Sequence, residues 1–159
     1  MFLAELPQQI EASILAQYIP HSGPMVLLDR VEEWDENRIL CISSTHQREA
    51  HPLRIDNFLS AIHTVEYAAQ AASFHCALMS LKYHRPVEGI DRLGGISSAY
   101  LVVVRDFDFM DVDLAAVKEK LIIAAEHKES GPRLLKYDFN ATTSSATLAS
   151  GQITLVVER

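Results

Sequence analysis

The run VEYAAQAASFH, from Val65 to His75, is built for burial, yet Glu66 stands inside it. His51 lies upstream across the loop-like stretch HPLRIDN, and His63 precedes Glu66 by three residues. These residue types can move protons. A neutral imidazole accepts a proton near pH 7, and a carboxyl group in a dry setting can hold one and release it. A carboxylate on a buried helix must reach solvent, find a partner or take up a proton. A Glu66 that points outward from an imperfectly covered helix fits the pattern, and so does a carboxylate at an active site beside a histidine. His63, at i, i+3, is within reach of Glu66. Gln70, one turn further on, either orients the carboxyl by a hydrogen bond or makes an ordinary packing contact.

The elements that must position these groups follow from periodicity and punctuation. Leu6 to Tyr18 reads as a short helix with Ile10, Ile14 and Leu15 on one face, stopped by Pro20. Ser22-Gly23-Pro24 is a turn, and Met25 to Val31 reads as a strand or extended segment. Arg38 to Thr45 alternates apolar and polar residues as a strand does, with Trp34 to Asn37 as the turn before it. No Gly or Pro interrupts Ser60 to about Leu81, which predicts one long helix. Ile62, Val65, Ala69 and Ala72 form one stripe, and the other faces also carry Ala61, Ala68, Ala71, Phe74 and Ala77. A helix apolar nearly all round is a buried one. Beyond Arg85-Pro86 the chain turns to strands: Ser98 to Phe109, Lys120 to His127, Leu134 to Thr142 and Thr147 to Val157. Two strands, one long helix and four strands predict an α+β fold, an antiparallel sheet wrapped around one central helix.

Composition narrows the function. The 159 residues fit a single domain, 1–159, with 48% apolar and 22% charged residues. A net charge of -7 without a Lys/Arg cluster argues against a nucleic-acid partner. No apolar run approaches the roughly 20 residues that span a bilayer, so no membrane partner is expected. The segment Met1 to Leu6 lacks a basic start and a cleavage site, and Cys41 and Cys76 read as buried reduced thiols. A cytoplasmic location is the expectation. No metal-ligand spacing is present, so neither metal nor other cofactor is expected.

Three stretches carry a family resemblance. VEYAAQAA, Val65 to Ala72, resembles the helix motif Glu-Ala-Met-Ala-Gln-Ala-Ala of the hotdog-fold 3-hydroxyacyl-(acyl carrier protein) dehydratases, with Glu66 and Gln70 on its Glu and Gln. IPHSGPMVLLDRV is similar to that family's opening segment at Pro20, His21, Pro24, Leu28, Asp29, Arg30 and Val31. Gly95-Ile96-Ser97 resembles its Ala-Gly-Ile-Asp strand start. The likeness covers nearly the whole chain. It departs from the family in two places: the His-to-Glu spacing is one residue longer, and Ser60-Ala61 replaces a Pro-Gly before the helix. In this it is similar to the divergent branch associated with aryl-polyene and polyketide-like pathways.

The resemblance implies a chemistry and its players. His51 would take the proton from C2 of a 3-hydroxyacyl thioester and Glu66 would protonate the departing hydroxide, with His63 as the fallback base. The enolate oxygen would be held by N–H groups of Ala61 or Ile62 at the helix start, capped by Ser60, with Gln70 and Gly95 also lining the substrate site. His21 is expected to pack or turn, His75 to be structural, and Asp29-Arg30 to form a structural charge pair. The substrate would arrive on an acyl carrier protein. A homodimer or a hotdog heterodimer is expected, because the apolar strand set is larger than one helix can cover and leaves edges that pairing would remove; the resemblance further implies a site whose His and Glu come from different subunits. Two alternatives use the same fold: an acyl thioesterase, and a non-catalytic subunit that partners an active dehydratase.

Overall fold

In the computed structural model, residues 6–83 and 98–158 are described. The expected strand start at Gly95, Ile96 and Ser97 lies outside them. One antiparallel sheet of seven strands runs in the order β1-β2-β3-β5-β6-β7-β4. The strands are β1 (Ile10–Glu11), β2 (Arg30–Trp34), β3 (Arg38–Ser43), β4 (Ser98–Phe109), β5 (Leu121–Ser130), β6 (Leu134–Thr142) and β7 (Thr147–Glu158). A single helical turn, α1 (Ala12–Leu15), sits in the N-terminal arm, and the long helix α2 (Thr64–Tyr83) is led in by a 3-10 turn over Ala61–His63.

Strand alternation delivers the core. Ile39 and Cys41 of β3, Leu121, Ile123 and Ala125 of β5, Tyr137, Phe139 and Ala141 of β6, and Ile153, Leu155 and Val157 of β7 are all buried. They pack on α2, where every residue from Tyr67 to Leu78 is buried. The alanines at 68, 69, 71, 72 and 77 let strands and N-terminal arm approach the helix closely, and buried Leu15, Leu27 and Leu28 cover the side the sheet leaves open. His75 pins the helix to the sheet. Its Nε2–H donates to the carbonyl of Asp35 at 2.8 Å, so its Nδ1 accepts the Tyr137 hydroxyl at 2.9 Å. The structural role expected for His75 is what its contacts describe.

Three local expectations are corrected. Residues 6–18 do not form one helix. Ile10 and Glu11 pair with Val31 and Arg30 of β2, and this cross-strand pairing leaves only Ala12–Leu15 and a following 3-10 turn as helix. The extended stretch from Met25 joins the sheet only at Arg30, because the Leu27 peptide bonds to side chains instead of a strand ladder. Asp29 and Arg30 do not pair with each other: Asp29 accepts the Ser44 N–H at 2.6 Å, and Arg30 bonds Glu32 at 2.7 Å. The stripe on α2 is also uneven. Ala69 and Ala72 are buried, whereas Val65 is partly covered and Ile62 is 45% exposed.

Strand β4 forms the free edge of the sheet, paired only with β7 among the described strands. It is bent at a register shift between Arg105 and Asp108, where Asp106 takes a φ of 48°. Gly151 of β7 faces this bend. A Cβ there would lie 3.2 Å from the Arg105 carbonyl oxygen, the Phe107 Cα and the Phe139 ring. Gly151→Ala is therefore expected to lower stability by about 1–3 kcal/mol, since two of the three obstacles are backbone. An unchanged urea midpoint would show that β4 does not cross β7 in this way.

Candidate active site

Glu66 lies in the first turn of α2, which one subunit leaves partly open; its side chain is 28% exposed. The carboxylate is not free. His21 Nε2 approaches Oε1 at 2.8 Å, and Gln70 Nε2 donates to the same oxygen at 3.2 Å. Gln70 is itself fully buried and anchored at both ends of its amide. Its Nε2 donates to the Met25 carbonyl at 2.7 Å, and its Oε1 accepts the Leu27 N–H at 2.9 Å. The turn that brings His21 and Met25 to the helix depends on Gly23, whose φ of 56° an L side chain rarely adopts.

His51 sits in the loop before the helix and is 4% exposed. Its Nε2 is 3.0 Å from the Tyr67 hydroxyl, and its Nδ1 accepts the Leu53 N–H at 3.1 Å. Tyr67 is 2.9 Å from Thr45 Oγ1, which donates to the Leu27 carbonyl at 2.6 Å. These bonds fix every proton. Thr45 uses its only hydrogen on Leu27, so Tyr67 must donate to Thr45 and His51 Nε2–H must donate to Tyr67. His51 is thus held as the Nε2–H tautomer with both nitrogens engaged inside its own subunit. Burial pushes its pKa down to about 4, and neighbouring His63, Arg48 and Arg54 push the same way. The Tyr67 hydroxyl is pushed up to about 12 by its burial, against the opposing Thr45 hydrogen bond.

The two halves meet at Leu27. Its N–H holds Gln70, which holds Glu66; its carbonyl holds Thr45, which holds Tyr67 and so His51. Glu66 and His51 make no hydrogen bond with each other within the subunit; each has its own intrasubunit partner. Burial also lowers the pKa of His63, and the charge of Glu66 opposes that shift.

The helix start departs from expectation. Ser60 is the cap, but its hydroxyl already accepts the Ile62 N–H at 3.2 Å. Ala61, the other expected oxyanion donor, is fully buried beside the Ser60–Asp113 bridge, so neither N–H is open to a substrate in this chain alone. The loop before Ala61 is clamped by Asp113, which accepts the N–H groups of Leu59 and Ala115. Sequence reasoning assigned His21 to packing, where the structure gives it Glu66, and it did not single out Tyr67 or Thr45. The signal for His21 was its place in the same opening segment as the residues that match. A cavity of about 240 Å³ on the outer sheet face is lined by residues such as Glu33, Arg38, Glu126 and Asp138, and it shares none with this site. Among the described residues no helix is long and apolar enough to cross a membrane, and no group of three or more His, Cys, Asp or Glu side chains could hold a metal ion.

A sheet of this topology around one long helix, with a carboxylate on the helix and a histidine before it, defines a hotdog-fold protein. The chain belongs to the ApeP-like family, described as ApeP dehydratase, whose model matches residues 13–158. Among solved structures it is similar to the dehydratase heterocomplex ApeI:P from Xenorhabdus doucetiae, at 18% identity over 91% of each chain with a TM-score of 0.76. It is also similar to the E. coli PaaI protein from the phenylacetic acid degradation operon (15% identity, 79% and 80% of the two chains, TM-score 0.53). A third likeness is to a hypothetical thioesterase with coenzyme A from Streptococcus pneumoniae TIGR4 (12% identity, 80% and 83%, TM-score 0.50). No curated protein sequence matches the chain.

The tautomer lock carries a pH signature. An unfolded imidazole protonates near 6.5, whereas native His51 resists protonation down to about 4. Between these values the unfolded state binds the extra proton, so stability falls as pH drops from 6.5 to 4 and is flat above. Replacing His51 by Gln is expected to remove part of that slope, of order 1–3 kcal/mol across the window. Identical slopes of denaturation midpoint against pH in the two proteins would contradict the buried, neutral histidine.

Proposed function

We propose that the chain dehydrates 3-hydroxyacyl thioesters to 2-enoyl thioesters, acting in the cytoplasm as a single hotdog domain within a two-subunit assembly. The substrate is carried by an acyl carrier protein in fatty-acid or polyene-type biosynthesis. The observation that carries this reading is Glu66: a carboxylate oriented by two donors on the partly uncovered first turn of a buried helix. Glu66 gives its proton to the C3 hydroxyl, which leaves as water. A base takes the C2 proton, and the C–H electron pair becomes the new double bond; His51 serves as that base once its Nδ1 lone pair is released from the Leu53 N–H. Ser60 and Gln70 hold the frame of the helix start, where a backbone N–H would have to be uncovered to meet the charge that develops on the thioester oxygen. Membership of a family described as a dehydratase supports the reaction.

The assembly is motivated by β4. Tyr100, Leu101, Val102, Val103 and Val104 are all exposed along the free edge of the sheet, on both of its faces. A bare apolar edge invites pairing with another strand, here a second copy or another hotdog subunit. Val102→Glu is expected to split the assembly into monomers in light scattering, while an unchanged mass would place the contact elsewhere.

A second reading has its own observation. Both His51 nitrogens are engaged within the subunit, which suits a subunit that lends only Glu66 to a site whose base comes from its partner. The ApeI:P dehydratase is a heterocomplex, which is compatible with that arrangement. Glu66→Gln keeps shape and is expected to fold normally and lose roughly 10²-fold or more in dehydration of a 3-hydroxyacyl thioester. If His51→Gln is lost to the same degree, His51 is the base. If His51→Gln keeps full rate while Glu66→Gln does not, the partner supplies it. Wild-type rates in both would rule out the pair, and release of free thiol instead of enoyl product would point to a thioesterase.

A further inference from the structure

We infer that His21 is a positioning residue for Glu66: with Gln70 it clamps one carboxylate oxygen and leaves the other to face the substrate. The inference rests on the dehydratase reading above. Its basis is geometric. Oε1 of Glu66 accepts from His21 Nε2 at 2.8 Å and from Gln70 Nε2 at 3.2 Å, which uses up the good acceptor directions of that oxygen. Both donors come from fixed positions. Gln70 is anchored to Met25 and Leu27, and His21 is held two residues before the Gly23 turn that presents Met25.

Two clamps on Oε1 define the role of Oε2. A carboxylic acid that must protonate a leaving hydroxide has to present one oxygen along the C3–O direction, and a side chain with three rotatable bonds does not do so unaided. With Oε1 tied to two N–H donors, rotation about the carboxyl bond is blocked. The transferable proton then resides on Oε2, the carboxyl oxygen that neither donor holds. His21 Nδ1 is buried and has no hydrogen-bond partner among the described residues, so the imidazole is engaged only through the nitrogen that meets Glu66. The titratable groups placed against Glu66 are His21, from the opening segment, and His63, from the 3-10 turn that leads into its helix. His63 acts on the carboxylate through space; His21 bonds to it directly. The chain uses one element, the segment Pro20 to Leu27, to orient the acid (through His21 and the Met25 carbonyl) and to hold the loop histidine (through the Leu27 carbonyl).

The test compares His21→Leu, which removes the donor, with His21→Gln, which keeps an N–H near the same place. Both are assayed on a 3-hydroxyacyl N-acetylcysteamine thioester, using the assembly in which the wild type is active. His21→Leu is expected to lose roughly 10- to 100-fold in kcat with KM within a few-fold and an unchanged melting temperature, and His21→Gln to recover most of it. In a Glu66→Gln background, His21→Leu should cost nothing further. A wild-type rate in His21→Leu, or a loss that adds fully to that of Glu66→Gln, overturns the inference. An independent readout keeps the pair testable if a variant misfolds: the His21 Nε2–H proton resonance, which reports its hydrogen bond to Glu66, should move upfield in Glu66→Gln, where a neutral amide replaces the carboxylate. An identical His21 Nε2–H resonance in the two proteins overturns the pair itself. If the wild type turns over no thioester, the dehydratase reading falls and the catalytic role of His21 falls with it, while the NMR result still decides whether the two side chains meet.

Discussion

The Leu27 peptide is the constraint on which the site depends. Most backbone amides in a sheet protein bond to a neighbouring strand, but this one is bracketed by side chains: Gln70 on its N–H, Ser43 and Thr45 on its carbonyl. The peptide is fully buried, so each of these bonds replaces one to water, and losing the single bond on its N–H would leave an unsatisfied group costing about 1–3 kcal/mol. That penalty is what draws Gln70 into a single orientation, and the bond to the carbonyl orients Thr45. From Gln70 the order passes to Glu66, and from Thr45 through Tyr67 to His51.

The arrangement also explains why a polar network can sit in such an apolar setting. Helix α2 is covered by the sheet on one side and by the N-terminal arm on the other, and its first turn is left partly open. Polar side chains that face the arm, Gln70 and Tyr67, are matched by backbone and hydroxyl groups of the arm and of the segment after β3. The hydroxyl relay from His51 ends at a carbonyl, which has no proton to give and cannot keep one. It therefore orients and does not conduct. Glu66, by contrast, lies in that first turn with its side chain 28% exposed, held by His21 and Gln70.

Much of this was legible in the sequence, and what was not has a common cause. Strands β4 and β6 were read to the residue, because Val-, Tyr- and Leu-rich alternation and the turn KESGPR mark their ends. The long helix was legible from the absence of Gly and Pro between Ser60 and Leu81, and its burial from apolar residues on every face. Glu66 stood out as a charge on that helix, and the family likeness was carried by motifs that the profile match over 13–158 supports. Side-chain partnerships across long sequence separations leave no periodic trace. Nothing in the order of residues announces that His21 meets Glu66, that Tyr67 rather than Glu66 takes His51 Nε2, or that Leu27 forgoes a strand ladder. The short β1 was missed for a related reason, since Ile10 and Glu11 become strand only by pairing with β2.

Hydrogen exchange at the Leu27 amide tests most directly whether this peptide holds the two halves of the site. In the wild type the amide should exchange as slowly as the buried strand amides, through global unfolding alone. In Gln70→Leu, which keeps the bulk and removes the acceptor, it should exchange much faster while β5 and β6 amides keep their protection. A Leu27 amide that exchanges rapidly in the intact wild-type protein, or one that Gln70→Leu leaves unchanged, would contradict the role assigned to it.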